Sequence, residues 1–161
     1  RKSAGVATLD QLTAIDEYGA PIAPLSAQEA MGVPMISGIS PKLFTQKGQA
    51  HIGQQLLARG LNVARLYEES PLSTLRALSE VYVSETGRIE LMLNRTRVSM
   101  GQGKLEIMLR DLERILRHLK RKGVDAKYIL MSEDHTRAIV QEIPIQLEAM
   151  ESFKANTSKK P

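Results

Sequence analysis

The sequence contains no cysteine and no tryptophan, and its aromatic residues are only four tyrosines and two phenylalanines. Without cysteine there is no disulfide staple, no thiol nucleophile and no thiolate-bound zinc. With so few aromatics, the core of any folded domain must be aliphatic, built from Leu, Ile, Val and Met. Long hydrophobic runs are missing too. No stretch approaches the roughly 18 consecutive apolar residues that a membrane-crossing helix needs, and no secretory signal pattern opens the chain.

What is present is ordinary for one soluble globular domain: 161 residues, 42% hydrophobic and 25% charged. The formal charge is +4, from 22 basic and 18 acidic residues. A basic balance can serve nucleic acid, an anionic surface or plain solubility, but here most basic residues are interleaved with acidic ones. The densest run, Arg117 to Lys122, closes a predicted helix, where cations meet the negative end of the helix dipole. It reads as a solvated helix end rather than a phosphate-binding patch.

Periodicity sorts the chain into elements. Residues 8–16 carry a partly alternating strand pattern, Glu17-Tyr18-Gly19 reads as the following turn, and residues 20–23 as a return arm. After a loop, Val33-Pro34-Met35-Ile36-Ser37-Gly38 is a brief apolar segment in which Pro34 argues against a central strand. A helix is expected over 47–67 on the stripe Ile52, Leu56, Leu57, Val63 and Leu66, weakened by Gly53 and Gly60 and ended by Pro71. Strand-like runs follow at 75–84, 89–93 and from Val98, with a polar turn at 94–97, which predicts an antiparallel meander. The clearest element is a helix over 104–122. Leu105, Met108, Leu109, Leu112, Ile115, Leu116 and Leu119 recur at three- and four-residue steps, and Gly123 stands where a left-handed C-cap is wanted. A hairpin of strands 127–131 and 137–143, turning at 132–136, closes the domain, and residues 145–161 form a polar, flexible tail. The expected class is α+β: an antiparallel sheet with helices packed on it and one long amphipathic helix before a C-terminal hairpin.

No motif for catalysis emerges. Gly101-Gln102-Gly103-Lys104 lacks both the four-residue gap and the following Ser or Thr of a phosphate-binding loop, and reads as a turn into the long helix. His51, His118 and His135 fall on separate elements without metal-ligand spacing. His51 and His118 read as helix-surface residues and His135 as part of a turn. There is no G-x-S-x-G elbow, and the carboxylates Glu68, Glu69, Glu133 and Asp134 fall in polar breaks read as solvated loops. The chain is therefore expected not to be an enzyme, and to carry no metal and no cofactor. A nucleic-acid module would show a recognition helix rich in cations or a sheet with stacking aromatics. Here Glu106, Asp111 and Glu113 dilute the helix, and the sheet has almost no aromatics.

Several segments, in their order, resemble the β domain of the bacterial FtsQ/DivIB cell-division proteins. The run Leu12-Thr13-Ala14-Ile15-Asp16-Glu17-Tyr18-Gly19 is similar to that family's D-x-x-G hairpin. Val33 to Gly38 resembles its L-P-x-[IL]-[ST]-G signature. Residues 89–93, then Val98-Ser99-Met100-Gly101, resemble its two strands ending in L-G. The long helix and final hairpin stand where the family has them. The likeness covers about residues 8–144. One departure is local: where the family often reads I-D-L-R in the penultimate strand, this chain reads Ile129-Leu130-Met131-Ser132, so the contacts of that Asp and Arg are not implied.

The resemblance implies a domain plan and a function. Residues 1–7 would end an upstream POTRA-like domain, 8–144 would form the β domain, and membrane anchoring is expected upstream, as a single span of the cytoplasmic membrane with this domain outside. The family acts without catalysis, as a divisome scaffold that helps regulate septal peptidoglycan synthesis. Its β domain receives an FtsB–FtsL coiled-coil pair near the last strand, by β-augmentation. The residues placed there are Glu133, His135, Arg137, Ala138, Ile139, Val140, Gln141 and Glu142. From the residues alone, a soluble adaptor or a basic nucleic-acid-binding module stands as the alternative.

Overall fold

A computed structural model describes residues 2–132 and 138–144. Among them the chain forms nine strands in one sheet and four helices. Strands β1 (Gly5–Thr8), β2 (Leu12–Ile15), β3 (Pro21–Pro24) and β4 (Met35–Ser37) come first. Helices α1 (Lys42–Thr45), α2 (Ala50–Glu69) and α3 (Leu72–Leu75) follow, then β5 (Leu78–Val83), β6 (Ile89–Leu93) and β7 (Thr96–Ser99). Helix α4 (Leu105–Lys122) leads into β8 (Val124–Met131) and β9 (Ala138–Pro144). The spatial order is β3-β2-β1-β4-β5-β6-β7-β8-β9. The α+β class, the meander β5-β6-β7 and the long helix before a terminal strand pair are as expected.

The sheet is mixed rather than antiparallel throughout. The joints β1–β4, β4–β5 and β7–β8 are parallel, each closed by a connection that passes through other elements of the fold. Strand β4 sits centrally, between β1 and β5, although Pro34 argued against it. The proline lies one residue ahead of the strand, so the ladder never calls on its missing N–H. The sheet also starts earlier than the sequence pattern does. Gly5, Val6 and Ala7 pair with β2, residues too small or too few to show a periodicity.

Helices α2 and α4 share one face of the sheet. Helix α4 buries Met108, Leu109, Leu112, Leu116 and Leu119, and Gly123 caps it at φ 69° with its N–H on the carbonyls of Leu119 and Lys120. In α2 the buried face is Gly53, Leu56, Leu57, Gly60, Val63 and Tyr67, while Ile52, expected inside, is exposed. The two glycines that weaken the helical pattern are what let it seat. A Cβ on Gly60 would stand 2.5 Å from Ile36, and one on Gly53 would stand 2.6 Å from the Phe44 ring. Helix α2 runs on through Glu68 and Glu69, so these carboxylates belong to its last turn rather than to a loop. From the sheet, Val81, Val83, Ile89, Leu91, Leu93, Val98, Ile129 and Met131 face the helices, with no residue of this set more than 5% exposed.

Candidate partner-binding edge

The strands alternate their side chains between the helix face and an open face, and the registers place the open-face residues in rows. One row runs Glu80, Met92, Arg97, Tyr128, Gln141, and the next runs Tyr82, Glu90, Ser99, Leu130, Ile139. The second row ends at β9. That strand pairs with β8 from Val124↔Pro144 to Met131↔Ala138, and no described strand pairs with its other side. Its outer N–H and C=O groups therefore form a template for another extended chain.

The side chains of β9 divide by this alternation. Ile139 is 67% exposed on the open face, next to Leu130, itself exposed. Val140 turns to the helix side and packs against the core. Glu142 turns there as well, and its carboxylate lies 3.7 Å from the Lys122 ammonium of α4. Ala138 and Gln141 are exposed, while Glu133, His135 and Arg137 lie outside the described residues. Beside Ile139, across the ends of β6 to β8, lies a cavity of about 280 Å³ walled by Arg88, Ser99, Gly101, Leu130, Met131 and Ile139. Among the described residues that line it, the body is apolar and Arg88 is an exposed cation. The structure thus joins Ile139 to Leu130 and Arg88, which sequence reasoning did not single out. A signal for Leu130 existed: in Ile129-Leu130-Met131 three successive apolar residues occupy a strand, so one of them must face away from the core.

The opposite end of the sheet explains the hairpin motif. The Asp16 carboxylate accepts the N–H groups of Tyr18 at 3.0 Å and Ala20 at 2.9 Å, closing the turn between β2 and β3. Gly19, at φ 80°, lies against α2 so closely that a Cβ would stand 2.2 Å from the Gln54 carbonyl oxygen. Gly38 follows β4 at φ 93°, and a Cβ there would meet the Val83 carbonyl oxygen at 2.5 Å. Asp16, Gly19 and Gly38 are thus needed for backbone reasons at these positions.

A model of the family described as "Cell division protein FtsQ/DivIB, C-terminal" matches residues 7–131, most of the chain. The chain belongs to the FtsQ/DivIB family. It is also 25% identical, over 124 residues, to the cell division protein FtsQ of Myxococcus fulvus. That stretch is 77% of this chain but 43% of the relative, so the chain spans less than half of that protein's length. The family match runs from β1 to the end of β8. Strand β9 lies beyond it, and what β9 offers follows from its place in the FtsQ/DivIB sheet.

Among the described residues, no group of three or more His, Asp or Glu side chains is arranged to hold a metal ion, and no helix is long and apolar enough to cross a membrane. His51 and His118 lie exposed on α2 and α4. Gly101 to Lys104 form the turn into α4.

Proposed function

We propose that this chain is the partner-receiving β domain of a non-catalytic division scaffold. Strand β9 takes an extended segment of a coiled-coil pair of the FtsB–FtsL kind by β-augmentation, and the complex helps regulate septal peptidoglycan synthesis. In this arrangement the domain stands outside the cytoplasmic membrane, tethered by a span that is not among the described residues. Membership of the FtsQ/DivIB family and the relative's name support the process, cell division. Neither a free adaptor nor a nucleic-acid module draws support from that membership.

One observation carries the choice of surface: β9 ends the sheet with its outer backbone unpaired among the described residues. Backbone pairing supplies affinity with little demand on the partner's sequence, and side chains beside the ladder supply the selection. Ile139 would meet an apolar residue of the incoming strand, and the cavity next to it suits a second apolar side chain with a carboxylate within reach of Arg88.

The test is capture of the FtsB–FtsL-like pair from the same organism by immobilised domain. Ile139→Glu places an unpaired charge in the pairing row, and capture should fall about ten-fold or more, which corresponds to about 1.4 kcal/mol or more. Because Ile139 is 67% exposed, the circular dichroism spectrum and Tm should stay near those of the parent. Undiminished capture by the folded variant would move the interface off β9, to the turn at 94–95 and its flanking strands β6 and β7.

A further inference from the structure

Arg76 and Asp125 stand 49 residues apart in sequence and form an ion pair whose side chains are only 23% and 19% exposed. The pairs Arg65–Glu69, Arg114–Asp111, Arg117–Glu113 and Lys122–Glu142 each leave at least one partner more than half exposed. A covered, hydrogen-bonded guanidinium–carboxylate pair constrains direction, because the planar fork accepts few geometries.

Both ends of this pair are anchored. The Arg76 N–H donates to the Leu72 carbonyl at 2.9 Å, and the Arg76 carbonyl accepts the Tyr67 hydroxyl at 2.7 Å. Tyr67 is fully buried in α2. Burial first, and then the charge of Glu68, push its phenol well above the ordinary tyrosine range, so it stays a neutral donor. On the other side, Asp125 Oδ1 also accepts the Ala126 N–H at 2.8 Å, and the Ala126 carbonyl accepts the buried Thr96 hydroxyl at 2.6 Å. At this place β8 departs from regular pairing: its register with β9 shifts between Ala126 and Tyr128. A bulge bends its strand and increases the local twist. Whatever holds Asp125 and Ala126 therefore sets the direction of β8, and through it that of β9.

We propose that Arg76 and Asp125 are positioning residues for β9. They hold the bulged start of β8 at one angle to the helix layer and keep the outer edge of β9 aligned for an incoming strand. The inference rests on β9 being the partner edge, but its first readout needs no partner.

Asp125→Asn preserves size and the acceptor for Ala126 while removing the charge. In the free domain, amides of β8 and β9 should then exchange hydrogen about ten-fold faster, with those of β1 and β2 unchanged. Capture of the coiled-coil pair should weaken along with them. Arg76→Gln should repeat the effect, and Arg76→Lys, which keeps the charge, should retain much of the protection. Unaltered exchange in β9 would overturn the proposal, as would a uniform rise through every strand, since that would mark a general stabilising contact. If β9 loosens selectively while the unaltered protein captures nothing, the partner-edge reading fails and the positioning role stands.

Discussion

The two edges of the sheet are built in opposite ways. Strand β3 has four residues, begins with Pro21, ends with Pro24, and meets β2 through a register irregularity at Ala14 and Ile15. Proline has a carbonyl acceptor but no N–H, so two of its four residues offer no donor to another strand, and the shift bends the edge away from straight pairing. Strand β9 has seven residues, with its one proline at the last position. Among the described residues, then, a short, proline-closed edge stands at one end and a long edge with donors at the other, so extension is favoured at β9 and disfavoured at β3. This asymmetry suits the scaffold role proposed above, in which one partner strand is received at β9 and β3 resists self-polymerisation.

Both edges rest on a common core, and the largest expected effect comes from removing it. Leu112 is fully buried in α4. Leu112→Ala should cost about 2–5 kcal/mol, the range for buried aliphatic truncation. Denaturant unfolding followed by hydrogen exchange should show both ends of the sheet losing protection together. Protection lost at β8 and β9 alone would show that the edges are energetically separate and break the comparison at its root.

Next in size is a change aimed at the closed edge. Gly19 holds the β2–β3 turn against α2 at φ 80°, with no room for a side chain. Gly19→Val combines backbone strain with overpacking, each worth about 1–3 kcal/mol. It should free β2 and β3 while leaving capture by β9 within about two-fold, since the sites are far apart and share no partner. Lost capture at retained fold would mean that the two ends are coupled.

The open edge is tested by giving it what the closed edge has. Successive N–H groups along a strand point to opposite sides, so of Ile139→Pro and Val140→Pro one removes a donor to β8 and the other an outward donor. Only the second kind should leave the circular dichroism spectrum intact, and it should cut capture about ten-fold or more. A folded proline variant with full capture would show that pairing along β9 is not the mode of binding.

The contrast between the edges also marks how far the sequence could be read. The stripe on α4 and its glycine cap were legible because amphipathic spacing and a left-handed cap are local properties. The central place of β4 was not, because a proline one residue before a strand looks like a proline inside it. On α2 the expected Leu56, Leu57 and Val63 are buried, but the glycines that complete the buried face were missed for a related reason. Gly53 and Gly60 read as weak points until Phe44 and Ile36 are seen against them, and close approach is a tertiary fact. At the candidate site, Ala138 to Glu142 were recognisable as a terminal strand. Which of them face a partner was not, because the register irregularity at Ala126 decides the alternation. Glu142, expected at the interface, lies on the helix side of β9 beside Lys122 of α4.

That position of Glu142 yields the smallest expected effect and the finest test of the open edge. Its carboxylate lies 3.7 Å from the Lys122 ammonium, with side chains 45% and 53% exposed. Exposed pairs of this kind contribute about 0–1 kcal/mol, since solvent screens them and two flexible side chains must be held. Lys122→Ala should therefore shift stability by no more than about 0.5 kcal/mol, the usual size for an exposed site. Its value lies in capture. If Glu142 serves only to hold β9 against α4, releasing it should leave binding unchanged or slightly weaker. If Glu142 is itself a contact, releasing it from Lys122 should strengthen the binding of a partner with a basic residue at that register and Glu142→Gln should reverse the gain. Weighed against Ile139→Glu in the same capture assay, the pair of results separates the open face of β9 from its helix face as the side that selects the partner.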